Sequence, residues 1–293
     1  YRIFHPRFHF KGKMTQDEME KLKSVFKGKV DKDRVEKIFE KSQNIGKRST
    51  LNNLLDKYFK NFLPEKAESR YARLNNKFLA MKEFNGDIEA KGFGDYNFAG
   101  IKVYPPLGFN PWPEGDAIEL EKVKLLYRYC QEKSIPITTH CSEGGFRVID
   151  KKATDRYNSP ATWEEVLKKY PKLKLNIAHF GGGFSNKVWQ RKIVEIILSG
   201  KYPHVYVDIS YVCYKEESYV SLEKMINKLC KSKGEEVTLK KKILFGSDFT
   251  ICLLEIDSYQ RYVKYFKDTN KFINDKNQFC SNNPHEFLFC PNS

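Results

Sequence analysis

Apolar and polar positions fall into two textures along the chain. Up to about residue 97 the apolar residues recur at helical spacing. Thr15-Gln16-Asp17-Glu18 is a capping box followed by Met19, Leu22, Val25 and Phe26. Val35, Ile38 and Phe39 repeat that spacing. Ser49-Thr50 opens a helix carrying Leu51, Leu54, Leu55, Tyr58, Phe59 and Phe62 and stopped by Pro64, and residues 66–84 read as one more. Residues 1–13 are aromatic and basic and fit a strand. From Phe98 on, short Ile- and Val-rich runs alternate with amphipathic segments. Strands are expected at 99–104, 136–140, 173–179, 204–210 and 242–248. Helices are expected near 116–132, 161–170, 186–198, 218–231 and 257–267. Strands alternating with helices imply βαβ units and a parallel sheet.

Four of these strands end on chemistry-bearing residues. Ala99–Tyr104 carries Lys102 and enters Pro105-Pro106-Leu107-Gly108. Pro136–His140 ends on His140 and runs into Cys141-Ser142-Glu143-Gly144-Gly145. Leu173–His179 ends on His179 before Phe180-Gly181-Gly182-Gly183, and Lys242–Asp248 ends on Asp248. The intervals from Lys102 to His140 and from His140 to His179 are nearly equal, and the next holds two units. Polar side chains at the C-terminal ends of evenly spaced strands are how a (β/α)8 barrel builds an active site, at roughly 30 residues per unit. The fold expected is an α/β TIM barrel, incomplete or modified in its first third. Residues 1–97 form a helix-rich part (early barrel units or an insertion), and residues 98–293 the second half of the barrel.

Side chains alternate along a strand. Lys102 and Tyr104 then oppose Ile101 and Val103, and His140 opposes Ile137 and Thr139. Asp248 shares a face with Leu244 and Gly246, whereas Asn176 and Ala178 lie opposite His179. Two imidazoles and a carboxylate converging on one point suit a Zn2+-like ion, which lowers the pKa of water and polarises a carbonyl. An aspartate beside it can move the water's proton to a leaving group. Against this, a lone strand-end histidine is more often structural; two at matching ends with Asp248 favour a site. Lys102 is costly to bury unless paired. Asp208 is either a second carboxylate in the mouth or a cap on its strand. Gly181-Gly182-Gly183 is a phosphate cradle or, lacking the P-loop lysine and serine, a tight turn. Trp112 walls a pocket or anchors its loop.

Composition adds limits. The net charge is +15. The lysines are spread along the chain without any RRM, KH or zinc-finger spacing, so no specific nucleic-acid partner is expected. No apolar run approaches the roughly 20 residues of a membrane span. The seven cysteines are odd in number and lack a CxxC, which fits reduced thiols in the cytoplasm.

Gly100–Phe109, Ile137–Ser142, Ala178–Gly183 and Gly246-Ser247-Asp248-Phe249, in that order, resemble the amidohydrolase superfamily, in its branch of metal-dependent hydrolases and non-oxidative decarboxylases. Asn283-Pro284-His285-Glu286-Phe287-Leu288 resembles that branch's closing segment. The resemblance covers about residues 98–290. It implies that His140 ligates a divalent metal ion, expected to be Zn2+, from the fifth strand. It implies that His179 on the sixth strand binds metal or positions substrate and water, and that Asp248 on the eighth is the metal-linked acid/base. Lys102 falls on the fourth strand, where it bridges metals after carboxylation or binds substrate, with Tyr104 and Trp112 beside it as substrate-binding candidates. The family's first-strand His-x-His pair does not occur in this sequence: its strand lies upstream of Tyr1, its role falls to His5 and His9, four apart, or the site is lost. The function implied is hydrolysis of an amide, ester or lactone of a small molecule. The alternatives are decarboxylation on the same fold, or a silent barrel used for binding, with a homo-oligomer open.

Overall fold

A computed structural model describes residues 16–17, 20, 48–60, 62, 98–143, 145–184 and 186–291. Most of the expected segments before residue 98, with His5 and His9, lie outside the described residues. The chain divides into two compact units. One takes residues 1–137, 145–157 and 288–293, and the other residues 138–144 and 158–287.

In the first unit, helix α1 spans Arg48–Phe59. Leu51, Leu55 and Phe59 repeat at helical spacing and are fully buried. Strand β1, Ile101–Val103, buries its two outer side chains and leaves Lys102 half-buried, as alternation predicts. Asp116 starts α2 (Ala117–Glu132): its carboxylate accepts the amides of Ile118 and Glu119 at 3.0 Å. Along α2, Val123, Leu126, Tyr127 and Cys130 are buried at 1% exposure or less. The Tyr129 hydroxyl donates to Asp56 at 2.9 Å, tying α2 to α1. The Ile101 amide donates to Pro136 O at 2.9 Å and leads into β2, Ile137–Thr139. A short helix α3 (Lys151–Asn158) follows the loop after β2.

In the second unit the βα alternation continues. Ser159 caps α4 (Pro160–Lys169), with Pro160 in its first turn. Strand β3 is Leu175–Ile177, and Asn186 caps α5 (Lys187–Leu198). Strand β4 is Val205–Asp208, followed by α6 (Glu216–Leu229) and α7 (Lys233–Lys240). Strand β5 is Ile243–Leu244, followed by α8 (Tyr259–Asp268). A five-residue π-turn, Gln278–Asn282, leads into α9, Asn283–Phe289. The five strands run β1-β2-β3-β4-β5 in one sheet. β3 pairs with β4, and β4 with β5, in parallel, with Leu175 opposite Val205 and Val207 opposite Ile243. Trp163, Ile193, Leu175, Ile177, Val207 and Ile243 are fully buried, each contributing on the order of 2 kcal/mol by leaving water.

Three features go beyond what the sequence foresaw. The strands are shorter than the Ile- and Val-rich runs, and the last keeps only two residues. Helices α3 and α7 were not read from the sequence, because neither repeats apolar residues over two full turns. The third concerns Asn283, whose segment is more than a family landmark. It is fully buried and donates to Lys240 O at 2.9 Å and to Ile243 O at 2.6 Å. The last helix therefore adds a hydrogen bond at Ile243 O to a strand that is already paired with β4.

Candidate active site

The C-terminal ends of β2, β3 and β4 gather five buried polar residues of the second unit: His140, Asn176, His179, Asp208 and Ser210, each 5–7% exposed. Strand alternation places Asn176 and Asp208. It does not place His179. The strand stops at Ile177, and the backbone then turns left-handed from His179 through Gly183, with φ of 62°, 46°, 78°, 92° and 66°. That turn swings His179 to the side of Asn176, correcting the expectation that the two lie opposite. Gly182 also sits where a Cβ would come within 3.0–3.1 Å of Ser142. The triple glycine is thus a tight turn seated on the loop after His140. Asn186 donates to Glu143 at 2.9 Å and links the same two loops.

The two imidazoles meet. His179 Nε2 lies 3.1 Å from His140 Nδ1, with ring centroids 4.9 Å apart. On its other side His179 Nδ1 lies 3.0 Å from the Ser210 carbonyl oxygen and 3.2 Å from Ser210 Oγ. A carbonyl only accepts, so Nδ1 carries the ring hydrogen and Nε2 presents a lone pair. Two nitrogens ligating one tetrahedral Zn2+ stand about 3.3 Å apart, given Zn–N of about 2.0–2.1 Å. The spacing matches two ligands of such an ion, once His140 Nδ1 gives up the hydrogen it donates to that lone pair.

Asp208 proves to be the hub of the cluster. Its Oδ1 accepts from the His179 amide at 3.0 Å, the Ser210 amide at 3.1 Å and Ser210 Oγ at 2.5 Å. Its Oδ2 accepts from Asn176 Nδ2 at 2.6 Å. Neither a mouth carboxylate free for a ligand nor a plain strand cap describes it. Sequence reasoning passed over Ser210 and Asn176; the one available signal was that Asp208 and Ser210 alternate onto one face of their strand.

Asp248 lies on the loop beyond β5. The strand ends at Leu244, and Asp248 has φ of 56°, so alternation does not set its direction. It is half-buried, and its carbonyl accepts the amides of Ile251 and Cys252. Burial pushes the Cys252 thiol up and the Glu255 hydrogen bond raises the Tyr211 phenol, with the Asp248 charge adding to both. Tyr211, also at positive φ, donates to Glu255 at 2.7 Å, which with burial drives its phenol up to about 12. The Tyr262 hydroxyl donates to Gly246 O at 3.0 Å and steadies the segment before Asp248. Among the described residues no three His, Cys, Asp or Glu side chains form a metal-holding group.

The remaining candidates belong to the first unit. Lys102 is half-buried on β1. Tyr104 just beyond it accepts the Phe146 amide at 3.2 Å. Trp112 sits in a turn closed by Asn110, and its indole donates to Glu114 at 3.2 Å. No helix among the described residues is long and apolar enough to cross a membrane, and all seven cysteines are free.

No curated protein matches the chain in sequence. Among solved structures it is similar to a probable 2-pyrone-4,6-dicarboxylic acid hydrolase of Acinetobacter baumannii, at 16% identity over 73% of this chain and 68% of that one, TM-score 0.42. It is also similar to a Staphylococcus aureus protein assigned as an amidohydrolase, at 12% identity over 75% and 78%, TM-score 0.42. A Lactobacillus casei protein assigned as a metal-dependent hydrolase matches at 15% identity over 68% and 56%, TM-score 0.39. Likenesses of this size carry no inference about this chain's chemistry. A family model does: the one described as amidohydrolase matches residues 79–289, spanning all five strands and both buried imidazoles. The chain belongs to the amidohydrolase family.

Proposed function

We propose that the chain is a metal-dependent hydrolase on a (β/α)8-type barrel modified in its first third, with His140 Nδ1 and His179 Nε2 as two ligands of a divalent ion, Zn2+ by donor type. The observation that carries this reading is the 3.1 Å approach of the two nitrogens, with the Ser210 carbonyl holding the ring hydrogen of His179 on Nδ1 so that the neutral ring presents Nε2 bare. Family membership supports the hydrolase class and the barrel. An ion bound there supplies a Lewis acid that lowers the pKa of water and polarises a substrate carbonyl. Asp248 takes the proton of the attacking water and passes it to the leaving group of an amide, ester or lactone. Lys102, Tyr104 and Trp112 are the substrate-binding side chains of this reading, and His5 and His9 its further ligand candidates. The partner is a small molecule, with no nucleic acid and no membrane; free thiols suit the cytoplasm.

The test is metal analysis of the purified full chain after incubation with Zn2+, beside hydrolysis of a panel of lactones, esters and amides. About one equivalent bound, dropping below a tenth of that in His140→Ala and His179→Ala, with turnover abolished by a chelator, is the expected result. Less than a tenth of an equivalent in the unaltered protein overturns the reading in favour of a silent barrel. CO2 release from carboxylate substrates without hydrolysis replaces it with the decarboxylase.

A further inference from the structure

The left-handed run at 179–183 contains two residues with side chains, His179 and Phe180, at φ of 62° and 46°. Each such residue costs roughly 1–2 kcal/mol, so the conformation persists only where neighbours hold it. Gly181, Gly182 and Gly183 continue the turn without that cost. What grips His179 itself is Asp208. The carboxylate takes the His179 amide at 3.0 Å, and Asn176 fixes the carboxylate's other oxygen at 2.6 Å. The same carboxylate takes the Ser210 hydroxyl hydrogen at 2.5 Å. With its hydrogen committed there, Ser210 Oγ turns a lone pair toward His179 Nδ1, 3.2 Å away, beside the Ser210 carbonyl at 3.0 Å.

We propose that Asp208 is a positioning residue for His179: it clamps the strained backbone of the turn and, through Ser210, holds the imidazole in its Nδ1–H tautomer with Nε2 bare. In this proposal Asp208 acts through His179 and not on substrate. Replacing it by asparagine keeps the size and one acceptor oxygen. The new amide group, however, either faces the Asn176 donor or, turned over, faces the His179 and Ser210 amides, and in that second orientation the Ser210 hydroxyl loses its acceptor. The freed hydroxyl can then donate to His179 Nδ1, which permits the Nε2–H tautomer. Use of the bare nitrogen for a metal rests on the hydrolase reading; the positioning itself does not.

The experiment is long-range 1H–15N imidazole spectroscopy on the metal-free full chain, with His179 assigned by its loss in His179→Gln, paired with a Zn2+ competition titration. Unaltered protein shows His179 with Nδ1 protonated and Nε2 unprotonated. In Asp208→Asn the Nε2–H form rises to at least about a tenth of the population, and Zn2+ affinity falls about 10- to 100-fold, the range seen when such outer partners are lost. Ser210→Ala, which keeps the carbonyl, retains the Nδ1–H form. An Asp208→Asn protein with native circular dichroism, unchanged tautomer and Zn2+ affinity within threefold overturns the proposal. An Nε2–H tautomer in unaltered protein overturns it too, even where the variant fails to fold. If the tautomer responds as stated while the unaltered protein binds no Zn2+, the positioning stands and the metal reading falls.

Discussion

Gly182 and Gly183 are adjacent, and both sit at positive φ, 92° and 66°. Only their surroundings differ. A Cβ on Gly182 would lie 3.0 Å from Ser142 Oγ, 3.1 Å from Ser142 Cα and 3.3 Å from the Glu143 amide nitrogen, whereas one on Gly183 meets nothing within 4 Å. Gly183→Ala therefore isolates the backbone cost of a left-handed alanine, about 1–2 kcal/mol. Gly182→Ala adds a collision with main chain, which cannot swing aside, at about 1–3 kcal/mol for overpacking. Gly182→Ala should thus lose about 2–5 kcal/mol in all, a large share of the roughly 5–15 kcal/mol that holds most domains together. Urea denaturation followed by circular dichroism measures both losses on one scale. Because the collision falls two residues after His140, Gly182→Ala should also weaken Zn2+ binding while Gly183→Ala leaves it alone. Equal destabilisation by the two variants would refute the seating of this turn on the loop after β2.

Asn283→Ala removes two buried hydrogen bonds and strands the carbonyls of Lys240 and Ile243. A loss of about 2–4 kcal/mol is expected in the same urea assay, since an unsatisfied buried group costs about 1–3 kcal/mol. Tyr211 has its pKa raised by the hydrogen bond to Glu255, so its contribution to stability is complete below about pH 10, the phenol's ordinary value, and is lost as pH rises through about 12. Tyr211→Phe should flatten the stability profile across that alkaline window, and Glu255→Gln should bring the Tyr211 ultraviolet titration back toward 10. His140→Ala should lose about 1–3 kcal/mol in the same assay, because it takes away the buried partner of His179 Nε2, while Zn2+ uptake falls below a tenth of an equivalent.

Where a segment's shape is set by its own side chains, the sequence was a good guide. Alternation in Ile101-Lys102-Val103 and helical spacing in Leu51, Leu55 and Phe59 both match the burial found. His140 and His179 could be paired in advance because they close neighbouring strands. The directions of His179 and Asp248 could not. Period-two reasoning presumes an extended backbone, and both residues have left the strand at positive φ. Nothing local marks that departure at Asp248, where no glycine follows. The role of Asp208 was hidden for another reason: its donors come from Asn176, His179 and Ser210, and only the sheet register brings them to one carboxylate. Short helices such as Lys233–Lys240 escaped because two turns hold too few apolar residues to reveal a period.

The tie between Asn283 and the carbonyls of Lys240 and Ile243 also bears on biosynthesis. A nascent chain emerges from the ribosome N-terminus first, and its domains fold in that order. Here one carbonyl of a strand already paired with β4 waits for a donor translated some forty codons later. That last bond to β5 forms after the sheet, so translation arrest just before residue 283 should leave the second unit more protease-sensitive than the full chain.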